Sequence, residues 1–172
     1  VLGHASKATP ADVDRALKSA EKGLKVWKKT TPWNRSYILR KIADRMREKK
    51  DVLAKWMTLE NGKPLAEGIG ETNGAADIFE WNAEETKRIF GQTIESRFED
   101  TRVHVYYQPV GVVAALSPWN FPLVLSARKI STALAAGCSV IIKPDVITPG
   151  VVMEMVDICR ECGVPAGVVN LL

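Results

Sequence analysis

Two prolines four residues apart, Pro118 and Pro122, bracket Trp119, Asn120 and Phe121. They fix backbone φ and remove backbone donors on both sides of a single carboxamide. Just before them, Val110-Gly111-Val112-Val113-Ala114-Ala115-Leu116 is a continuous β-branched and small apolar run without helical period, the pattern of a fully buried strand. Asn120 is therefore expected on a stiff loop at a strand's carboxyl end, where open α/β sheets bind ligands. By residue type alone it is either a group facing a ligand or the cap of the next helix. Lys143-Pro144-Asp145-Val146 follows a second apolar run and occupies the matching position. Arg128 carries a guanidinium able to bind a carboxylate bidentately, although a helix Arg paired only with solvent has the same signature. Cys159 and Cys162 form a Cys-x-x-Cys, a spacing used in redox and zinc sites. With no second pair, with His4 and His104 distant in sequence, and with Cys138 opening a buried strand, packing is the favoured reading of all three cysteines. No metal site is expected.

The elements that must position these groups can be read in order. Leu123 to Ala136 has apolar residues at helical spacing (Leu123, Ala127, Ile130, Leu134), and Gly137 stands where a C-terminal glycine belongs. Cys138 to Ile142 is a second buried strand. Thr148-Pro149 opens another helix, with Thr148 as N-cap and Val152, Met155, Val156 and Cys159 inside, closed by Gly163; a third strand follows from Gly167 to Leu172. Strand, helix, strand, helix, strand with short loops requires right-handed crossovers and a parallel sheet, half of a doubly wound, Rossmann-like α/β domain.

Ahead of the sheet lie helices. Thr9-Pro10 starts one whose inner face is Val13, Ala16, Leu17, Ala20, Leu24 and Trp27; Thr31-Pro32 starts a second. Asp51 is expected to cap a third, ended by Asn61-Gly62, and Leu65 to Phe90 reads as a long fourth, weakened by Gly68, Gly70 and Gly74. From Arg97 to Tyr107 charged residues alternate with Val103, Val105 and Tyr107, the pattern of a strand with one wet face. An exposed edge of this kind usually finds a partner.

Composition narrows the class without deciding it. The chain has 172 residues, 46% of them apolar, enough for one ordinary core. Its net charge of +4 comes from helical faces such as Lys22 to Lys29 and Arg40 to Lys50, interleaved with Asp44 and Glu48. That is a solvated face and not a phosphate-tracking patch, so no nucleic-acid partner is expected. No apolar run approaches the ~20 residues needed to cross a bilayer, and no charged segment followed by an apolar core opens the chain. A soluble, cytoplasmic protein without a membrane partner is expected.

Five ordered motifs carry a resemblance: Pro-Trp-Asn-Phe-Pro (118–122), Ala-Leu-Ala-Ala-Gly-Cys (133–138), Lys-Pro (143–144), Thr-Pro (148–149) and Gly-Val-Pro-Ala-Gly-Val-Val-Asn (163–170). Together with Glu60-Asn61-Gly62-Lys63-Pro64 they resemble the aldehyde dehydrogenase superfamily, from near residue 8 to the end, and most of all its succinate-semialdehyde dehydrogenase branch. The resemblance implies oxidation of a small aldehyde with NAD or NADP through a thioester. It makes Asn120 the oxyanion donor and sets Ser117, Pro118 and Trp119 along the dinucleotide cleft. Lys143, with Pro144, Asp145 and Val146, becomes the adenosine-ribose contact. The absence of a G-x-G-x-x-G after the first strand accords with this family's divergent cofactor site. Val146 stands where many NAD-selective relatives carry Glu, so NADP is not excluded by charge; Asp145 next door is a partial substitute, and the choice stays open. Arg128 matches succinate-semialdehyde members where many fatty or aromatic aldehyde members have Trp, and is expected to bind the substrate carboxylate.

The resemblance also implies what lies elsewhere. The family's nucleophilic Cys and general-base Glu fall well beyond residue 172, so the chain reads as an N-terminal portion, cut at both ends, without the catalytic domain. Residues 1–96 and 109–172 are expected to belong to the cofactor-binding domain, with 97–108 crossing to a ribbon that joins subunits of a homo-oligomer. Dehydrogenases for other anionic aldehydes, such as glutarate semialdehyde or lactaldehyde, are the nearest alternative. A non-catalytic nucleotide-binding or assembly module is the rival class.

Overall fold

Thr9 and Thr31, each followed by proline, start the first two helices of the computed structural model, which describes residues 2–172. Thr9 and Asp12 form a reciprocal capping box at α1 (Pro10–Trp27), and the Thr31 hydroxyl accepts from the Asn34 N–H at α2 (Pro32–Glu48). The third helix, α3 (Lys50–Asn61), departs from expectation at its start. Lys49 is its N-cap, and Asp51 lies inside the first turn. The reason is that α2 and α3 are separated by Lys49 alone, whose carbonyl accepts from Val52 and Leu53 and leaves no loop for an acidic cap. Asp51 still favours the positive end of the helix. Gly62, at φ 76°, ends α3 in the left-handed conformation and turns the chain back at Lys63.

The fourth helix, α4, spans Leu65–Glu85 and not the full stretch to Phe90; Thr86–Arg88 is a single 3-10 turn. The buried Thr86 hydroxyl donates to the Ala135 carbonyl at 2.6 Å, which draws the chain off the helical path. Next comes a hairpin, β1 (Gln92–Glu95) antiparallel to β2 (Arg102–Val105), with Gln92 opposite Val105 and Glu95 opposite Arg102. The single strand expected over 97–107 is thus shorter and has a partner that precedes it. Both faces of the hairpin lie largely open in this chain, including Ile94 and Val103.

The sheet is parallel, in the order β3-β4-β5, from β3 (Val112–Leu116), β4 (Ser139–Lys143) and β5 (Val169–Leu171), connected by α5 (Pro122–Ala135) and α6 (Pro149–Glu161). Period 2 sorts its two faces. Ile141 packs with Val112 against Ala16 and Ala20 of α1, whereas Val140 and Ile142 join the larger core under α5 and α6, with α2, α3 and α4 behind. Helices therefore cover both faces, as the α/β reading requires. β3 is less enclosed than its apolar sequence implies. It is an edge of the described sheet, and Ala114 and Leu116 are exposed while Ala115 is buried.

Helix α5, which carries both Asn120 at its entrance and Arg128 on its surface, is held by side chains from other elements. At its carboxyl end the Trp27 indole N–H donates to the Leu134 carbonyl at 2.9 Å, and buried Arg35 donates to Ala135 at 3.2 Å. The Arg35 contact satisfies a carbonyl the helix terminus would otherwise orphan, while Trp27 adds a second donor to Leu134, which already accepts from the Gly137 N–H at 3.0 Å. Among the described residues, no helix is long and apolar enough to cross a membrane.

Candidate active site

Parallel pairing of Leu116 with Lys143 brings two strand ends together, and with them the loops that follow. The Ser117 N–H donates to the Lys143 carbonyl at 3.3 Å, extending the ladder one step past β3. Ser117 itself is buried, its hydroxyl accepting from Ser126 at 2.7 Å, so it offers backbone and not a free hydroxyl. Pro118 and Trp119 are exposed beyond it, with Trp119 half open. On the neighbouring strand end, the Lys143 ammonium is exposed and donates to the Pro144 carbonyl at 3.0 Å. Pro144 is buried; the Asp145 carboxylate accepts from the Ile147 N–H at 3.0 Å in a local turn, and Val146 is 82% exposed. The two strand ends form one lip, with a cationic side chain on one loop and open backbone on the other. That donor set fits a dinucleotide held by ribose hydroxyl contacts and backbone, without a glycine-rich phosphate loop.

Asn120 is exposed, and its backbone carbonyl is gripped from below. Lys63 donates to that carbonyl at 2.9 Å, and its ammonium lies 4.1 Å from the Phe121 ring centroid. Lys63 also pairs with Glu71, the two side chains being 8% and 2% exposed. Glu71 Oε1 in turn accepts the N–H groups of Leu123 at 2.9 Å and Val124 at 3.1 Å. The first turn of α5 is thus capped by Glu71 from α4, and Phe121, the formal N-cap residue, makes no side-chain cap bond. Asn61 adds another grip, donating to the Trp119 carbonyl at 3.0 Å.

Thr148 also departs from expectation. It occupies the N-cap position of α6, but its hydroxyl makes no cap bond and is buried without a partner. Glu60 does the capping from 90 residues away, accepting from Gly150 at 2.6 Å and Val151 at 3.1 Å. Gly150 permits this approach, because a Cβ there would sit 2.8 Å from both Glu60 Oε1 and the Trp56 ring. Burial pushes the Glu60 carboxyl above its ordinary value of 4.5, outweighing the two N–H donors that pull it down. A raised carboxyl pKa contributes stability that is complete below the unfolded value and is lost as pH rises through the folded one. Glu60→Gln, which keeps a neutral acceptor, should therefore gain on the parent in urea-unfolding stability as pH is raised from about 4.5 toward neutrality. A stability difference that did not move with pH would show that the Glu60 carboxyl titrates alike in the folded and unfolded states.

Arg128 is exposed in the second turn of α5 and, among the described residues, joins no ion pair. The structure does not bring it into contact with Asn120; the two share a helix and its entrance loop. The three cysteines are free and buried, and burial pushes the thiols of Cys159 and Cys162 up, opposite to what a nucleophile needs. Among the described residues no cluster of three His, Cys, Asp or Glu side chains could hold a metal. Lys63 and Glu71 are the residues that the sequence reading left without a role. Lys63 stood in a motif already noted, but Glu71 lies within a helix and carries no local signal.

The model of the aldehyde dehydrogenase family matches residues 1–172. The chain belongs to that family. Family relatives include the glutarate-semialdehyde dehydrogenase of Pseudomonas putida, 44% identical over 172 residues, covering 100% of this chain and 36% of the relative. The NADP(+) succinate-semialdehyde dehydrogenase of Escherichia coli is 44% identical over 171 residues, covering 99% and 36%. A crystal structure of an E. coli NADP-dependent enzyme superposes with a TM-score of 0.98 at 44% identity, covering 99% of this chain and 36% of its own. The chain thus spans about a third of the length of these family members.

Proposed function

We propose that this chain supplies the aldehyde-facing loop and part of the cofactor lip of an NAD(P)-dependent dehydrogenase for a small aldehyde bearing a terminal carboxylate, succinic semialdehyde first and glutaric semialdehyde next. One observation carries the reading: an exposed Asn120 on a loop fixed from below, at the paired carboxyl ends of two parallel strands. Asn120 donates its neutral amide N–H to the oxyanion that forms when a nucleophile attacks the aldehyde carbon. Being neutral, it is not titrated away. Lys143 holds the adenosine ribose, the backbone of Ser117, Pro118 and Trp119 lines the cofactor cleft, and Pro144, Asp145 and Val146 form its other wall. NAD or NADP, held there, would supply the hydride acceptor. The Asp145 carboxylate is drawn into its own turn and Val146 bears no charge, an arrangement that favours acceptance of either dinucleotide. The thiol nucleophile and the hydrolytic base belong to the remaining two thirds of the enzyme.

Arg128 recognises the distal carboxylate. Its exposure and lack of an acidic partner support this, as does the pair of relatives named for semialdehydes of dicarboxylic acids. In the full-length enzyme Arg128→Leu should raise KM for succinic semialdehyde by roughly 10- to 100-fold, the scale of a lost charge-assisted bidentate contact, and spare an uncharged aldehyde of similar length. Equal losses on both substrates would reject the assignment. A panel of four- and five-carbon semialdehydes then decides between the two leading substrates. The β1–β2 hairpin, with Phe98, Tyr106 and Tyr107 exposed beside it, is the proposed ribbon through which subunits join.

A further inference from the structure

Four consecutive contacts fix the backbone on both sides of Asn120. Asn61 holds the Trp119 carbonyl, Lys63 holds the Asn120 carbonyl, and Glu71 holds the N–H groups of Leu123 and Val124. Lys63 and Glu71 are joined to each other, so the grip on the loop and the grip on the helix are one unit. Such a pair is hard to explain by stability alone, because a buried ion pair often does no better than apolar side chains of the same volume. What it supplies is a single conformation. The Asn120 carbonyl cannot rotate away while Lys63 holds it, so the backbone from which the exposed carboxamide projects keeps one direction.

We propose that Lys63 is a positioning residue for Asn120, preorganising the oxyanion donor by holding its backbone carbonyl, with Glu71 fixing Lys63 and Asn61 steadying the adjacent peptide. The inference rests on the reading of Asn120 as that donor. Preorganisation is where such donors gain their effect, and small misplacements of a catalytic group cost rate out of proportion to their size. The Lys63 side chain is 8% exposed and is engaged by Glu71 and the Asn120 carbonyl, so its role is exerted through Asn120.

The test is a double-mutant cycle in the full-length enzyme, with Lys63→Met, Asn120→Ala and the double variant assayed for kcat and for KM of NAD(P). Lys63→Met should lower kcat by about tenfold or more, with KM for the cofactor within about twofold, and should cost almost nothing further once Asn120 is already alanine. Asn61→Ala, which removes a neighbouring grip without stranding a buried charge, goes through the same cycle so that a poorly folded Lys63 variant cannot end the test; a several-fold loss that vanishes in the Asn120→Ala background is expected. A Lys63 or Asn61 loss that persists undiminished without the Asn120 carboxamide would show a general structural role and overturn the proposal. So would an unchanged kcat in both variants while Asn120→Ala is impaired. Full turnover by Asn120→Ala is a separate result: it removes the oxyanion assignment itself, and the positioning role with it.

Discussion

Asn120→Ala in the full-length enzyme should lower turnover by on the order of 10²–10³-fold, the loss expected when one oxyanion donor is removed. It should do so without a matching loss of stability. From sequence, Asn120 had two readings, a helix cap or a ligand-facing donor, and the two predict opposite outcomes. Removing a cap would cost about 1 kcal/mol of folding stability and leave chemistry intact. In the structure Glu71 does the capping, and the Asn120 contact to Lys63 is through a backbone carbonyl that alanine retains. The variant should therefore unfold at nearly the parent's urea midpoint while its kcat collapses, with KM for NAD(P) little altered. Unchanged turnover would sink the assignment, and a lower midpoint with unchanged turnover would restore the capping reading.

Glu71→Ala is expected to have the largest effect on the fold. It strands the Lys63 ammonium, 8% exposed, and uncaps two N–H groups at the start of α5. Breaking a buried pair by removing one partner costs about 3–5 kcal/mol, far above the ~0–1 kcal/mol of a surface bridge. The urea midpoint should fall accordingly, with little change in the slope of the transition. Glu71→Gln, which keeps an oxygen for the two N–H groups but not the charge for Lys63, should lie between parent and alanine variant. A cost below about 1 kcal/mol for the alanine change would mean that Lys63 finds water or another partner, and that the pair behaves as a surface one.

The parts of the molecule legible in the sequence are those decided locally. Thr9-Pro10 and Thr31-Pro32 are short-range caps, and both start helices. The apolar runs around Val113 and Ile141, separated by one helix, leave little choice but parallel pairing, and β3 and β4 pair so. What was not legible depends on residues far apart in the chain. Gln92–Glu95 is too short and too polar to announce a strand, and becomes one because Arg102–Val105 lies opposite. Thr148 has the local form of a cap, yet a carboxyl group from α3 takes its place, because Glu60 offers two oxygens to two N–H groups where a hydroxyl would serve one. The site follows the same division. Asn120 and Lys143 stand in motifs at strand ends; the Glu71 that anchors the loop stands at a helical position whose sequence neighbours say nothing of its target 52 residues away.

The turn from Glu60 to Lys63 touches both loops of the lip: Glu60 caps the helix after β4, while Asn61 and Lys63 hold the loop after β3. Re-engineering the oxyanion loop in such enzymes would begin by exchanging the 117–124 segment for another member's. That segment is not a self-contained cassette. Transplanted alone, it would arrive on a foreign mount, and a graft that carries residues 60–71 with it is the smallest exchange that brings its own.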